Sequence, residues 1–429
     1  MQTSLEKIAN KAREQKNYRF RNLYTMLSLQ WLIWSFNKLN KGSAPGIDGI
    51  GAKEYGKNLL RNLIVLFRRL KQKTYKAKLV KRRYIEKANG KLRPLGIPAT
   101  EDKVLQVGVK EILQAIYEQD FLDCSYGYRP ERNPKDAVGE IREKLRFRKL
   151  RYVVEADIKG FFDAIDHDWL VKMLELRIDD RALMRLIKKW LKAGIMEPEG
   201  NVVDNEAGTP QGGIISPLLA NVYLHYVLDL WFEKAVKKQL KGEGYIVRYA
   251  DDFICMFQYK DDADRFYRAL PGRLQKFNLQ VAPDKTKIVT FNRWNKKNRF
   301  EFVGFEFYWD INRKGQDELY VRTSNKKLRT ALKNLNSWFR ENRHKGVKWL
   351  LKEMNLKLLG HYNYYGVRGN YKRIQAYHYY SRRIMFKWLN RRSQRKSYNW
   401  DQFADLLKHK PLEKPRITAK PIVRIQYGF

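Results

Sequence analysis

The sequence predicts an α+β body followed by a separate, strongly basic all-α domain. Three observations lead there. Apolar, β-prone runs alternate with helical periodicities over about residues 80–310. Beyond about residue 320 no strand pattern stands out, and amphipathic runs follow at about 323–343, 346–365 and 370–392. The charge shifts at the same place: residues 321–429 carry 27 Lys and Arg against 5 Asp and Glu, a net +22 out of +41 for the chain. The length of 429 residues allows about three domains. With 44% hydrophobic and 14% aromatic residues there is material for a packed core, so the charge does not mark a disordered tail. A compact body this positive attracts polyanions, which favours nucleic acid over small metabolites and leaves a membrane surface as the weaker alternative. No run approaches the roughly 18 apolar residues of a membrane span. The first residues lack the apolar core of a signal peptide. Two cysteines, Cys124 and Cys255, exclude a disulfide framework and a cysteine-rich zinc site, and fit a reducing compartment.

The elements read as follows. Residues 4–40 are helical, with Leu23, Leu27, Trp31, Trp34 and Phe36 as apolar positions. Gly42 to Gly49 is a Gly/Pro-rich loop, and helical periodicity returns over 53–73. Val80–Glu86 and Lys91–Ile97 form a strand pair around the turn signal Asn89-Gly90. A helix covers about 100–118. Tyr152–Asp157 is a strand, and His167 to Gly194 is one or two helices. A Pro210-Gln211-Gly212-Gly213 loop leads into a helix from Ser216 to Val236. Ile246 to Tyr259 reads as two short strands around Asp251-Asp252. A helix over Ala263–Phe277 and further strands between Val281 and Phe307 complete the mixed region.

The sharpest chemical feature is Tyr249-Ala250-Asp251-Asp252, set between apolar β-prone runs. Adjacent acids at the tip of such a hairpin repel each other unless cations compensate them. An ordinary Asp-rich turn accounts for this pattern equally well when it is taken alone. A second acid shifts the balance. Asp157 ends an apolar strand, where its carboxylate can meet those of another hairpin across a sheet; the bland alternative is a helix N-cap. Two or three such carboxylates suit a hard divalent cation such as Mg²⁺, and paired ions serve phosphoryl transfer.

These residues, with their neighbours, resemble the reverse transcriptases encoded by bacterial group II introns and close relatives. The first acid lies in Val154-Glu155-Ala156-Asp157-Ile158-Lys159-Gly160-Phe161-Phe162, the others in the Tyr-x-Asp-Asp turn. Ser125-Tyr126-Gly127-Tyr128-Arg129-Pro130, Gly208 to Gly213 with Ser216 to Asn221, Val281 to Lys287, and Phe302-Val303-Gly304-Phe305 resemble further segments of that family. Leu358 to Gly366 and Phe386 to Arg392 resemble its thumb, or maturase domain.

The resemblance implies a right-hand polymerase: residues 1–75 as N-terminal extension and start of the fingers, 76–150 as fingers, 151–312 as palm with an antiparallel sheet, 313–400 as an all-α basic thumb, and 401–429 as a basic tail. It implies Asp157, Asp251 and Asp252 as catalytic, binding two Mg²⁺ (Mn²⁺ substituting) with the backbone carbonyl of Ile158. It places Lys87, Arg93, Ile158, Phe162, Gln211 and Lys285 at the incoming deoxynucleotide, with Phe162 excluding a ribose 2′-OH. The Gly42–Gly49 loop would close over the template. Arg382, Arg383, Arg391, Arg392, Arg395 and Lys396 are the candidates for RNA contact. Trp338, Leu358, Tyr364, Phe386 and Trp388 are expected to serve mainly packing, and His361 to be structural. The implied partners are an RNA template, a DNA or RNA primer, deoxynucleotides and a group II intron RNA, in the bacterial cytosol. The 29 residues after 400 are too few for an endonuclease domain, and Ile288-Val289-Thr290-Phe291 departs from the Val-Thr-Gly signature of retron enzymes. Two alternatives remain: a relative recruited to phage defence or DNA repair, and a protein acting mainly as an RNA-binding splicing factor.

Overall fold

Every strand around the Asp-bearing segments is apolar on both faces, and the architecture shows why. A computed structural model describes residues 2–86, 90, 92–204, 207–209, 212–392, 394 and 397–419. The chain begins with helices α1 (Gln2–Glu14), α2 (Leu29–Lys38), α3 (Ala52–Lys57) and α4 (Leu59–Lys71). Strands β1 (Val80–Glu86) and β2 (Leu92–Ile97) precede α5 (Thr100–Tyr117) and α6 (Pro134–Phe147). Then come β3 (Tyr152–Asp157), α7 (Phe161–Ala164), α8 (His167–Glu175), α9 (Arg181–Leu191) and the short strands β4 (Ile195–Met196) and β5 (Val202–Val203). Helix α10 (Ser216–Leu224) continues through wide turns at His225–Asp229 and Phe232–Val236. The hairpin β6 (Gly244–Tyr249) and β7 (Asp252–Phe257) is followed by α11 (Lys260–Gln275), β8 (Lys287–Thr290), β9 (Arg299–Phe302), β10 (Phe305–Ile311) and β11 (Asp317–Thr323). Helices α12 (Asn325–Asn342), α13 (Val347–Tyr365), α14 (Tyr371–Leu389) and α15 (Trp400–His409) close the fold.

The central sheet has the order β6-β7-β3-β8, and its three pairings are antiparallel. Alternation along each strand divides the apolar residues between two cores. Val154, Ala156, Phe253, Cys255 and Phe257 enter the core shared with α5, α8, α10 and α11. Val153, Ile254, Met256 and Val289 enter another, with α6 and the β9–β11 sheet. A sheet covered on both faces reads as an unbroken apolar run rather than an alternating one.

The mixed α+β character and the antiparallel central sheet agree with the sequence reading, while the sheet of order β2-β1-β4-β5 also holds one parallel pairing, β1 with β4. Three details differ. Helix α6 went unread, although Asn133 and Asp136 form a capping box with Pro134 in the first turn. The shift in composition near residue 320 falls inside β11, which pairs with β10 over its whole length. The reading of residues 401–429 as a tail missed α15: Phe403 is fully buried, and Trp400 stacks on Phe386 at 3.8 Å. Leu358 and Trp388 are core residues, Trp338 and Phe386 pack against the same helical core, and Tyr364 remains 38% exposed. His361 stacks on Tyr377 at 3.7 Å, and burial pushes its imidazole down to about 4, so it is a neutral packing group. Among the described residues no helix is long and apolar enough to cross a membrane.

Candidate active site

Pairing of β3 with β7 sets Asp157 directly opposite Asp252. Opposed residues in an antiparallel ladder have Cβ atoms about 5 Å apart. Asp251 lies in the turn between β6 and β7, where Ala250 adopts φ 58°. Three carboxylates therefore gather at one end of the central sheet. Asp157 is buried, Asp251 half-buried, and Asp252 reaches solvent from within a dense surround of protein atoms.

The electrostatics reflect that crowding. Burial, then the charges of Asp251 and Asp157, push the Asp252 carboxyl up to about 7. Burial followed by the charge of Asp157 raises Asp251, while Lys285 and Arg93 oppose the rise. The Lys285 ammonium donates to the Asp157 carboxylate, and that bond holds the lysine above its ordinary value. The cluster is short of positive charge, and Lys285 supplies part of it.

Among the described residues no group of three or more His, Cys, Asp or Glu side chains is arranged to hold a metal ion. Mg²⁺, however, is commonly held by one or two carboxylates, with water and substrate phosphates completing its shell. A pair of crowded carboxylates compensated by a lysine fits that mode. Ile158 is buried beside them and bridges to Val281. The flanking bonds, Lys159 N–H to the Gln280 carbonyl at 2.8 Å and Ala282 N–H to the Asp157 carbonyl at 2.8 Å, do not use the Ile158 carbonyl.

Phe162 sits in the first turn after Gly160. Its ring meets Tyr128 edge-on at 6.3 Å and Phe161 at 5.5 Å. The Thr209 N–H donates to the Phe162 carbonyl at 2.8 Å, which ties the glycine-rich loop to this turn. On the far side of that loop a Cβ at Gly212 would lie 2.6 Å from the Gly96 carbonyl oxygen, so glycine lets it pack against β2. Arg93 projects from β2, exposed, and its charge acts on both Asp251 and Tyr128. The Gly42–Gly49 loop packs at the base of the same hairpin, where Asp48 pairs with Lys78 at 2.9 Å. Lys285 thus meets the carboxylates directly, Arg93 acts on Asp251 by its charge, and Phe162 packs on Tyr128, which itself feels Asp251, whereas Lys87 and Gln211 lie outside the described residues.

The RNA-contact candidates stand elsewhere, on and after α14. Arg383 is exposed, with its guanidinium on the Tyr379 hydroxyl at 3.0 Å, and Arg391 is exposed beside Trp388. Arg382 and Arg392 are half-buried, Arg392 donating to the Lys345 carbonyl at 3.0 Å. Arg395 and Lys396 lie outside the described residues.

Sequence reasoning missed three residues. Tyr128, 52% exposed with φ 60°, leans over Phe162. Gly127 packs against Ala250 so closely that a Cβ there would lie 2.3 Å from the Ala250 nitrogen. Arg248 is wholly buried behind the turn. The first two stand in a segment read only for its resemblance, and the third inside an apolar strand.

Comparisons with known proteins identify the family. Residues 85–307 match the family described as reverse transcriptase (RNA-dependent DNA polymerase). The chain is 30% identical to the group II intron-encoded protein LtrA of Lactococcus lactis subsp. cremoris over 466 residues, covering 87% of this chain and 75% of that protein. It is 31% identical to protein YkfC of Escherichia coli (strain K12) over 363 residues, 77% of this chain and 94% of the relative. An uncharacterized 91 kDa protein in the cob intron of Schizosaccharomyces pombe is 34% identical over 252 residues, 57% of this chain and 30% of that protein. The chain belongs to the group II intron-encoded family of reverse transcriptases and maturases, and it is an RNA-directed DNA polymerase.

Proposed function

We propose that the carboxylates at the end of the central sheet are the polymerising centre of a right-hand enzyme. In this reading residues 1–75 are the extension and start of the fingers, 76–150 the fingers, 151–312 the palm and 313–400 the thumb, with α15 packed into the same helical core. The observation that carries the assignment is the register that sets Asp157 against Asp252, with Asp251 in the adjoining turn.

Asp157 and Asp251, assisted by Asp252 and the Ile158 carbonyl, would hold two divalent cations, Mg²⁺ or in its place Mn²⁺. When bound, such ions lower the pKa of an attacking hydroxyl and offset charge on a leaving oxygen. The protein's own part is placement. Arg93 on β2, together with Lys87, would receive the triphosphate, countering charge that grows during transfer. Lys285 would leave Asp157 for the same anion; its side chain is 68% exposed and free to swing. Gln211 would approach the sugar from the glycine-rich loop. Phe162, backed by Tyr128, would fill the space of a 2′-OH. Replacing Phe162 with Ala should therefore raise the ribonucleotide-to-deoxynucleotide ratio of kcat/KM by about tenfold, a gain of the order expected for one steric contact in a pocket. Single-nucleotide extension on an RNA template measures this, and an unchanged ratio would remove Phe162 from the sugar pocket.

The basic helices would hold the template–primer duplex and the intron RNA, which serves splicing and intron mobility in the bacterial cytosol. The +22 net charge beyond residue 320 supports this use. A double change of Arg383→Gln and Arg391→Gln should flatten the slope of log affinity against log salt by about 1.5, at roughly 0.7–0.9 per phosphate contact. Fluorescence anisotropy across a salt series reads the slope. An unaltered slope would mean these exposed arginines do not meet phosphate. Splicing assays with Asp251→Asn protein separate the two activities: splicing that survives without extension assigns the RNA-folding role to the rest of the chain.

A further inference from the structure

A cation that the polymerising chemistry does not use lies directly behind the Tyr249–Asp252 turn. Arg248, in β6, is 0% exposed, and so is its partner Asp229. A guanidinium has five N–H donors in a rigid plane. All five are engaged. Nε donates to Asp229 Oδ1 at 2.7 Å and Nη2 to Asp229 Oδ2 at 2.6 Å. Nη2 also reaches Ser125 Oγ at 2.8 Å. Nη1 donates to Asn221 Oδ1 and to the Ala250 carbonyl, both at 3.0 Å.

These acceptors come from separate stretches of chain: the segment after α5, helix α10, the wide turn that follows it, and the Asp-bearing turn itself. The main chain closes the same loop. Tyr126 N–H donates to the Arg248 carbonyl at 2.8 Å, and Arg248 N–H to the Cys124 carbonyl at 2.7 Å. Asn221 Nδ2 donates to the Gly127 carbonyl at 2.7 Å, next to Tyr128. A buried ion pair is weak evidence for stability, because apolar residues of equal volume often serve as well. What a guanidinium adds is direction. The residue it holds also needs holding, since Ala250 is a non-glycine residue at φ 58° and such a conformation persists only where its surroundings over-determine it.

We propose that Arg248, fixed by Asp229 and Asn221, is a positioning residue that locks the Asp251–Asp252 turn against residues 124–128 and so sets how the carboxylates are presented to divalent metal. The inference rests on those carboxylates being the polymerising centre. Amide exchange in the turn reads the lock whether or not that reading holds.

The test uses the full chain with Arg248→Lys, Asn221→Ala and a control, Arg177→Lys. Arg177 is 3% exposed and is held by Asp120 at 2.8 Å and by the Ala12, Gln15 and Tyr18 carbonyls, none of them in the turn. Exchange of residues 249–252 in the metal-free protein should rise by about tenfold or more in both network variants, as expected when a local opening becomes easier. The Mg²⁺ concentration for half-maximal extension should rise as well, and kcat should fall by about 10- to 100-fold at unchanged RNA affinity. Arg177→Lys should lose thermal stability while leaving turn exchange and Mg²⁺ dependence at wild-type values. Should Arg248→Lys fail to fold, Asn221→Ala decides by the same readings. Turn exchange at the wild-type level, an unshifted Mg²⁺ dependence, or an equal response from Arg177→Lys would each overturn the proposal.

Discussion

Changing Asp251 to Asn should lower primer extension on an RNA template by about three orders of magnitude, close to 4 kcal/mol of transition-state stabilisation at roughly 1.4 kcal/mol per decade. RNA affinity should stay within about twofold, because the exposed arginines proposed to meet RNA, Arg383 and Arg391, stand on and after α14, away from this turn. Asn keeps the shape of the side chain and one carbonyl oxygen but removes the negative charge. The folded protein already resists that charge, since burial and Asp157 push the Asp251 carboxyl upward. A group whose folded pKa is raised costs stability once pH exceeds its unfolded value, so Asp251 opposes folding at neutral pH. The variant should therefore melt no lower than wild type in the absence of metal. Parallel extension, anisotropy and melting measurements separate the outcomes. Extension within tenfold of wild type would sink the catalytic assignment, and a lower melting point would show that the turn needs this charge to fold.

The same cluster shows what a sequence discloses and what it withholds. The bounds of β3, from Tyr152 to Asp157, were legible because an apolar run ends at an acid and strands of this length are short and local. The hairpin around Asp251-Asp252 was legible for the same reason. Which acid faces which was not: the register Asp157 to Asp252 joins residues far apart in the chain, and only the packing of two cores on opposite faces selects it. Arg248 stayed hidden because its partner Asp229 lies 19 positions away on another element. Helices α6 and α15 were missed for a different reason. Their caps, at Asn133 with Asp136 and at Asn399 with Gln402, are local signals, but they sit in basic, polar stretches whose apolar stripe is narrow. The charge step near residue 320 gave no sign of β11, which runs across it, because net charge records what surface a segment exposes, while β11 is tied to β10 by backbone bonds indifferent to charge.

Gly127→Ala should reduce extension on the order of 100-fold, although Gly127 carries no group that could act in the reaction. A Cβ at this position would lie 2.3 Å from the Ala250 nitrogen and 3.0 Å from the Ala250 Cα and the Tyr249 carbonyl carbon. Real carbon contacts begin near 3.5 Å, so the two segments must part by about 1 Å. Neither can yield alone. The Gly127 carbonyl is held by Asn221, Tyr126 is bonded to Arg248, and the Ala250 carbonyl is held by Arg248. The displacement therefore passes to Asp251 and Asp252, where about 1 Å of misplacement is enough to cost roughly two decades in rate. Binding of RNA should persist, and the loss should fall on kcat more than on nucleotide KM. Gly360→Ala supplies the contrast. That glycine lies exposed in α13, nothing within 4 Å would meet its Cβ, and the change should leave extension unaltered while stabilising the helix by about 0.5–1 kcal/mol. A Gly127→Ala enzyme with kcat within threefold of wild type would mean that the turn tolerates displacement, and that the close packing of residues 124–128 on it does not govern the geometry of the carboxylates.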